Sequence, residues 1–170
     1  TLVPVTIYTF LNDFALIDTT ETSTLANSIT IGEKFTVQFD VFLPASTTNQ
    51  IAVSIQVPTT GSRIRVDSST VVVGSNILPA TISPGSLSDS NTDGTNDRVS
   101  WSFSTLSNTD LADKNFLSKS VDDRVSFRVT FTIIDTALNV GNTNNIPVTA
   151  TVQKNSGTTF SSTATVSLNI

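Results

Sequence analysis

Cysteine, histidine and methionine are all missing from the 170 residues. Without cysteine there is no disulfide framework and no thiol chemistry. Without histidine there is no Ser-His-Asp or Cys-His nucleophile, no His-ligated zinc, and no side chain poised to carry protons near neutral pH. The absence of Met extends to position 1, so the chain reads as a piece cut from a precursor or expressed as a fragment. Charge is scarce at 14%, and Glu occurs only as Glu21 and Glu33. A paired-carboxylate hydrolase would need an acid with a raised pKa. Asp residues in polar turns are solvated and suit that role poorly. Four Lys and five Arg lie scattered, which argues against nucleic acid as a partner, because phosphate neutralisation needs clustered cations. No apolar run approaches the roughly 18 residues that span a bilayer, so the chain is expected not to be membrane-embedded.

What fills the space is hydroxyl. Ser and Thr account for 52 of 170 residues, and the net charge is −5. Such a surface is common in exported β-proteins and points to a secreted, extracellular or cell-surface location. The dominant pattern is alternation with period two. Phe35, Val37, Phe39, Val41 and Leu43 alternate with polar residues, as do Ile51, Val53, Ile55 and Val57. Val125, Phe127, Val129, Phe131 and Ile133 repeat the pattern, and Ala164, Val166, Leu168 and Ile170 close the chain with it. Each run places one apolar face inward and one hydroxyl face outward. Strands are expected at 3–10, 34–43, 50–57, 63–73, 77–82, 98–104, 123–134, 146–153 and 159–169, separated by turns rich in Gly, Pro and Asn. One helical turn is expected near 110–115. The reading is a single all-β domain over 1–170, an antiparallel β-sandwich of about nine strands, Ig-like or jelly-roll-like. Trp101 alternates with Val99 and Phe103 and is expected between the sheets; a sugar-stacking platform is the alternative.

The acidity is uneven, with seven of the twelve Asp between Asp89 and Asp123. Within that segment lies Ser88-Asp89-Ser90-Asn91-Thr92-Asp93-Gly94-Thr95-Asn96-Asp97. Asp89, Asn91 and Asp93 occupy alternate positions, Gly94 follows, and Asp97 comes three residues later. A hard cation such as Ca²⁺ takes six to eight oxygens. Alternate ligands on a curling loop can reach one centre, and the Gly allows the curl. The candidate ligands are Asp89, Asn91, Asp93, Asp97 and a carbonyl near Thr95, with Asp110, Asp113, Asp122 or Asp123 completing the shell. This arrangement resembles the calcium loop of EF-hands and of extracellular Asp-rich repeats, although Ser100 stands where an EF-hand has a bidentate Glu and the flanks are strands. A solvated turn, built from the same residue types, is the competing reading. A second oxygen-rich stretch, Asp135, Thr136, Asn139, Gly141, Asn142, Asn144 and Asn145, reads as a loop.

The runs Ile31-Gly32-Glu33-Lys34-Phe35, Leu43-Pro44, and "VSWSF" with "RVSFRVTFTI" resemble the Thr-rich β-sandwich repeats of secreted adhesion and matrix proteins. In texture they are similar to the core proteins of sponge aggregation factors. The resemblance implies calcium-dependent adhesion or self-assembly without catalysis. Its partners would be further copies or neighbouring domains of one assembly, with glycans as another class. No Asn-x-Ser/Thr sequon occurs. Two other functions fit the residues: a carbohydrate-binding module, and a passive stalk domain of a bacterial surface protein. In the second, Lys34 would be the donor of a Lys–Asn or Lys–Asp isopeptide cross-link.

Overall fold

The computed structural model describes residues 11–20, 28–60, 63–110, 119–137, 139, 145–154 and 160–169. The central pairing is β2 (Lys34–Phe42) with β8 (Arg124–Ile133). Phe35, Val37, Phe39 and Val41 stand directly opposite Phe131, Val129, Phe127 and Val125. All eight are buried. Because side chains alternate faces, a one-residue slip of either strand would turn its four to the solvent side. The Phe35 and Phe131 rings stack at 5.1 Å, a cross-strand pair that helps fix the register.

β1 (Leu11–Thr19) pairs with β2 on one side, and β4 (Ile64–Val73) pairs with β8 on the other. The order of this sheet is β1-β2-β8-β4. The second sheet runs β10-β9-β3-β7-β5, from β10 (Phe160–Asn169) through β9 (Asn145–Lys154), β3 (Thr47–Gln56) and β7 (Arg98–Asn108) to β5 (Ile77–Leu78). β6 (Ser86–Ser88) also pairs with β7. Every pairing is antiparallel. Between the sheets lies one apolar cluster, to which Ile51, Val53, Ile55, Trp101, Val148 and Val152 contribute from the second sheet. The architecture is therefore the all-β sandwich that the alternation implies.

Trp101 is 6% exposed and packs on Phe127 with ring centroids 4.8 Å apart. It is a core residue, and its face is not open to a sugar.

The differences from expectation have local causes. β1 was not expected: Asn12, Asp13 and Asp18 dilute its pattern, and a bulge between Leu16 and Asp18 leaves Ile17 exposed. Phe14 and Leu16 nevertheless pack on the core. The run at 77–82 is strand only over Ile77–Leu78, because Pro79 cannot donate to a ladder. β7 extends to Asn108, beyond the expected 104. A short 3₁₀ turn over Val121–Asp123 precedes β8. The expected strand at 3–10 and most of the expected turn at 110–115 lie outside the described residues.

Candidate functional site

The Asp-rich loop connects β6 to β7, and it does curl. The Asp89 carboxylate accepts from the backbone N–H groups of Asn91, Asp93 and Gly94, at 3.2, 3.3 and 2.7 Å. Gly94 sits at φ +86°, a conformation that a β-carbon disfavours. The Asp93 carboxylate accepts from the Thr95 N–H at 2.8 Å and from the Asn91 amide at 2.7 Å. That same amide also donates to the Thr59 carbonyl at 2.5 Å, which ties the loop to the segment after β3. Asp89, Asn91, Asp93 and Thr95 are thus brought together.

Asp97 takes a different part. It is 4% exposed, and its carboxylate accepts from the Ser90 N–H and, at 2.7 Å, from the Ser90 hydroxyl. Its backbone N–H donates to Ser88, and its carbonyl accepts from Val57. Asp97 closes the base of the loop; it does not join Asp89 and Asp93 at the tip. Among the described residues no three acidic side chains converge on one point.

The remaining candidates lie at the other end of the sandwich. Asp110 follows Asn108, whose side-chain oxygen accepts from the Asp110 N–H at 2.9 Å. Asp122 accepts from the Ser75 hydroxyl at 2.8 Å, and Asp123 accepts from the Asn76 amide at 2.8 Å. Leu43 N–H donates to the Asp123 carbonyl. Eleven residues of β7 separate the two ends, roughly 35 Å at strand rise. A carboxylate from Asp110, Asp122 or Asp123 therefore does not complete the shell of the Asp89–Asp97 loop. Acidic density along the sequence suggested proximity, but a full strand intervenes. Asp122 and Asp123 instead build the 3₁₀ turn, capped where the Ser120 hydroxyl accepts from Asp122 N–H. Asp113 lies outside the described residues.

The second oxygen-rich stretch contributes a clamp. The Asn139 side-chain oxygen accepts from Arg63 Nε at 2.7 Å, and its amide donates to the carbonyls of Arg63 and Ile134. Asn139 is 3% exposed and pins its loop to the start of β4. Residues 141, 142 and 144 are outside the described set.

Lys34 lies with its Nζ 3.4 Å from the Asp67 carboxylate. Burial alone would raise the Asp67 carboxyl. The Thr132 hydroxyl, the Arg65 hydrogen bond, and the charges of Arg65 and Lys34 outweigh burial and hold it below the usual carboxylate value. Asp67 is an ionised partner. An amine attacks a carboxylate anion poorly, because acyl transfer needs a neutral, polarised carbonyl, so Lys34 and Asp67 form an ion pair.

No family model matches the chain, and no curated protein matches it. Solved structures do share the fold. The major pilin subunit of Bacillus cereus superposes at a TM-score of 0.52 with 10% identity, over 94% of this chain and 40% of that one. The C-terminal domain of a Streptococcus agalactiae AgI/II polypeptide gives 0.51 with 11% identity, over 95% and 49%. The N-terminal domain of a Streptococcus gordonii adhesin gives 0.50 with 10% identity, over 94% and 32%. The chain spans between about a third and a half of each of these proteins. No helix among the described residues is long and apolar enough to cross a membrane.

Proposed function

We propose that the chain is a non-enzymatic, extracellular domain of a surface protein, serving to space or assemble neighbouring domains. The observation that carries this reading is the fold, shared over almost the whole chain with domains of bacterial pilin and adhesin proteins. The chemistry supports it. The sequence has no His and no Cys. The outer face of the larger sheet presents short, mainly neutral side chains, among them Ala52, Ser54, Ser100, Ser102 and Thr151. An antibody raised against the chain should label intact cells of its source. Labelling only after permeabilisation would overturn the reading.

Within that function, the Asp89–Asp97 loop is the candidate Ca²⁺ site. Its support is the curl: Asp89, Asn91 and Asp93 close around Gly94. Two carboxylates at the tip, with no third, fit a weak extracellular site better than a tight one, because affinity follows ligand charge and number.

The carbohydrate-binding alternative loses its best residue. Trp101, the chain's single Trp, is in the core.

A further inference from the structure

Among the described residues the larger sheet ends in β10 on one side and, on the other, in β7 with the short strands β5 and β6 beyond it. β7 is paired with β3 along one side, from Arg98 to Ser107. On its other side it meets β5 at Ser107 and Asn108 and β6 at Arg98 to Ser100. Between them, Trp101 to Leu106 has no strand partner among the described residues, a window of about 20 Å. Alternation within β7 shows which groups are open. Asn108 N–H points to Ser46, on the β3 side, and Thr109 N–H points to Asn76, on the β5 side. The odd-numbered N–H groups of Trp101, Phe103 and Thr105 therefore face the window.

The segment that crosses this window is loosely tied. Among the described residues, Pro79 to Pro84 make no hydrogen bond, and Ile82 packs on the core. The Gly85 N–H donates to the Ser69 hydroxyl at 2.9 Å. Between this segment and β7 lies a groove of about 440 Å³ lined by Thr81, Ile82, Ser86, Trp101, Ser102 and Phe103 among others, with no charged residue in its lining. The Trp101 indole Nε1 is buried without a hydrogen-bond partner among the described residues. The indole edge bearing it lies against Gly85, where a β-carbon would meet Cε2 at 2.7 Å. A buried N–H without an acceptor is costly.

Among the described residues β10 is the last strand at the opposite side of the same sheet. Its ten residues, Phe160-Ser-Ser-Thr-Ala-Thr-Val-Ser-Leu-Asn169, contain no charge and no Pro. Edge strands are usually blunted by just those residues. β10, β9, β3 and β7 alternate in direction, so a translated copy presents its β10 antiparallel to β7 of the first.

We propose that the β7 window at Trp101–Leu106 is a strand-addition site for β10 of a second copy of this chain, displacing the 79–84 segment. The contact is head-to-tail and does not close on itself, so it builds an open-ended row of domains through a continuous sheet. It stands apart from the spacer reading: a chain that stays monomeric overturns the pairing and leaves that reading intact.

The test is sedimentation of the isolated chain from dilute to near-millimolar concentration, with amide exchange and the single indole N–H resonance followed by NMR. Association should grow without a closed end point. The Trp101 indole signal should shift, and the Trp101, Phe103 and Thr105 amides should gain protection as it grows. Thr105→Pro removes one window donor and should abolish association. Ser102→Lys, which adds a charge at the exposed groove wall, should do the same without altering the backbone. A monomer at every concentration, a dimer that stops growing, or association unchanged in both variants overturns the proposal.

Discussion

The Thr132 hydroxyl donates to the Asp67 carboxylate at 2.5 Å, from β8 to the bulge of β4. Arg65 Nε donates to the other carboxylate oxygen at 2.9 Å. The bulge between Val66 and Ser68 lifts Asp67 out of the ladder register and lets three strands share one charge: Lys34 from β2, Arg65 from β4 and Thr132 from β8.

These contacts hold the Asp67 carboxyl below its unfolded value of about 3.9. A carboxylate with a depressed folded pKa contributes stability that is fully present above the unfolded pKa. That contribution is lost as pH falls through the folded one. Asp67→Asn should lower stability at neutral pH by about 1.5–3 kcal/mol, the range for a hydrogen bond to a charged group. It should also flatten the loss of stability below about pH 4. Urea melts of both proteins at neutral pH and at pH 3 check this. An acid limb unchanged by the substitution would remove Asp67 as its source.

The same ionisation bears on cross-linking. Lys34 faces a carboxylate that three neighbours keep charged. The intact mass of the chain should therefore be that of the uncross-linked sequence, with no water lost between Lys34 and Asp67. A mass lower by one water, together with a Lys34–Asp67 linked peptide after digestion, would refute the ion-pair assignment.

Gly85 approaches β7 closely at the end of the crossing segment. A β-carbon there would meet Val99 Cγ2 at 2.5 Å and Trp101 Cε2 at 2.7 Å. Gly85→Ala should cost about 1–3 kcal/mol, the range for overpacking, and should perturb the Trp101 fluorescence. At Gly94, by contrast, no atom lies within 4 Å of an added β-carbon. Gly94→Ala strains only the backbone at φ +86°, worth about 1–2 kcal/mol, and should leave the Trp signal unchanged. Denaturant melts followed by fluorescence separate the two.

Period-two alternation was enough to place β2, β3, β4, β8, β9 and β10, because Phe, Val and Ile on one face recur against Thr and Ser on the other. The inward residues Ile51, Val53, Ile55, Phe127, Val129 and Phe131 are all at most 1% exposed. β1 escaped because its bulge places Ile17 on the solvent side and its Asp and Asn residues read as turn. The curl of the Asp89–Gly94 loop was legible, since spacing and a Gly carry that information locally. The fates of Asp97 and Asp122 were not. Whether Asp97 turns to Ser90, and which end of the sandwich holds Asp122, depends on strand topology, which local spacing does not encode.

The loop supplies the sharpest test of the calcium reading, because its two kinds of Asp should behave differently. Asp93 is at the tip, accepting from Thr95 N–H and the Asn91 amide. Asp97 is at the base, buried, accepting from Ser90. Asp97→Ala strands the Ser90 N–H and hydroxyl in a part-buried site. It should cost about 1–3 kcal/mol with or without calcium. Asp93→Ala removes interactions of an exposed side chain and no core packing, and its melting temperature in chelator should stay close to that of the parent. In millimolar calcium the parent should gain stability as RT ln(1 + [L]/Kd), about 1.4 kcal/mol when calcium exceeds Kd tenfold. The Asp93→Ala protein should gain nothing. Calorimetry of calcium binding, with thermal melts of all three proteins in calcium and in chelator, reads both effects. If the parent shows no heat of binding and no shift, Asp89, Asn91 and Asp93 form a self-closed turn whose carboxylates serve its own backbone.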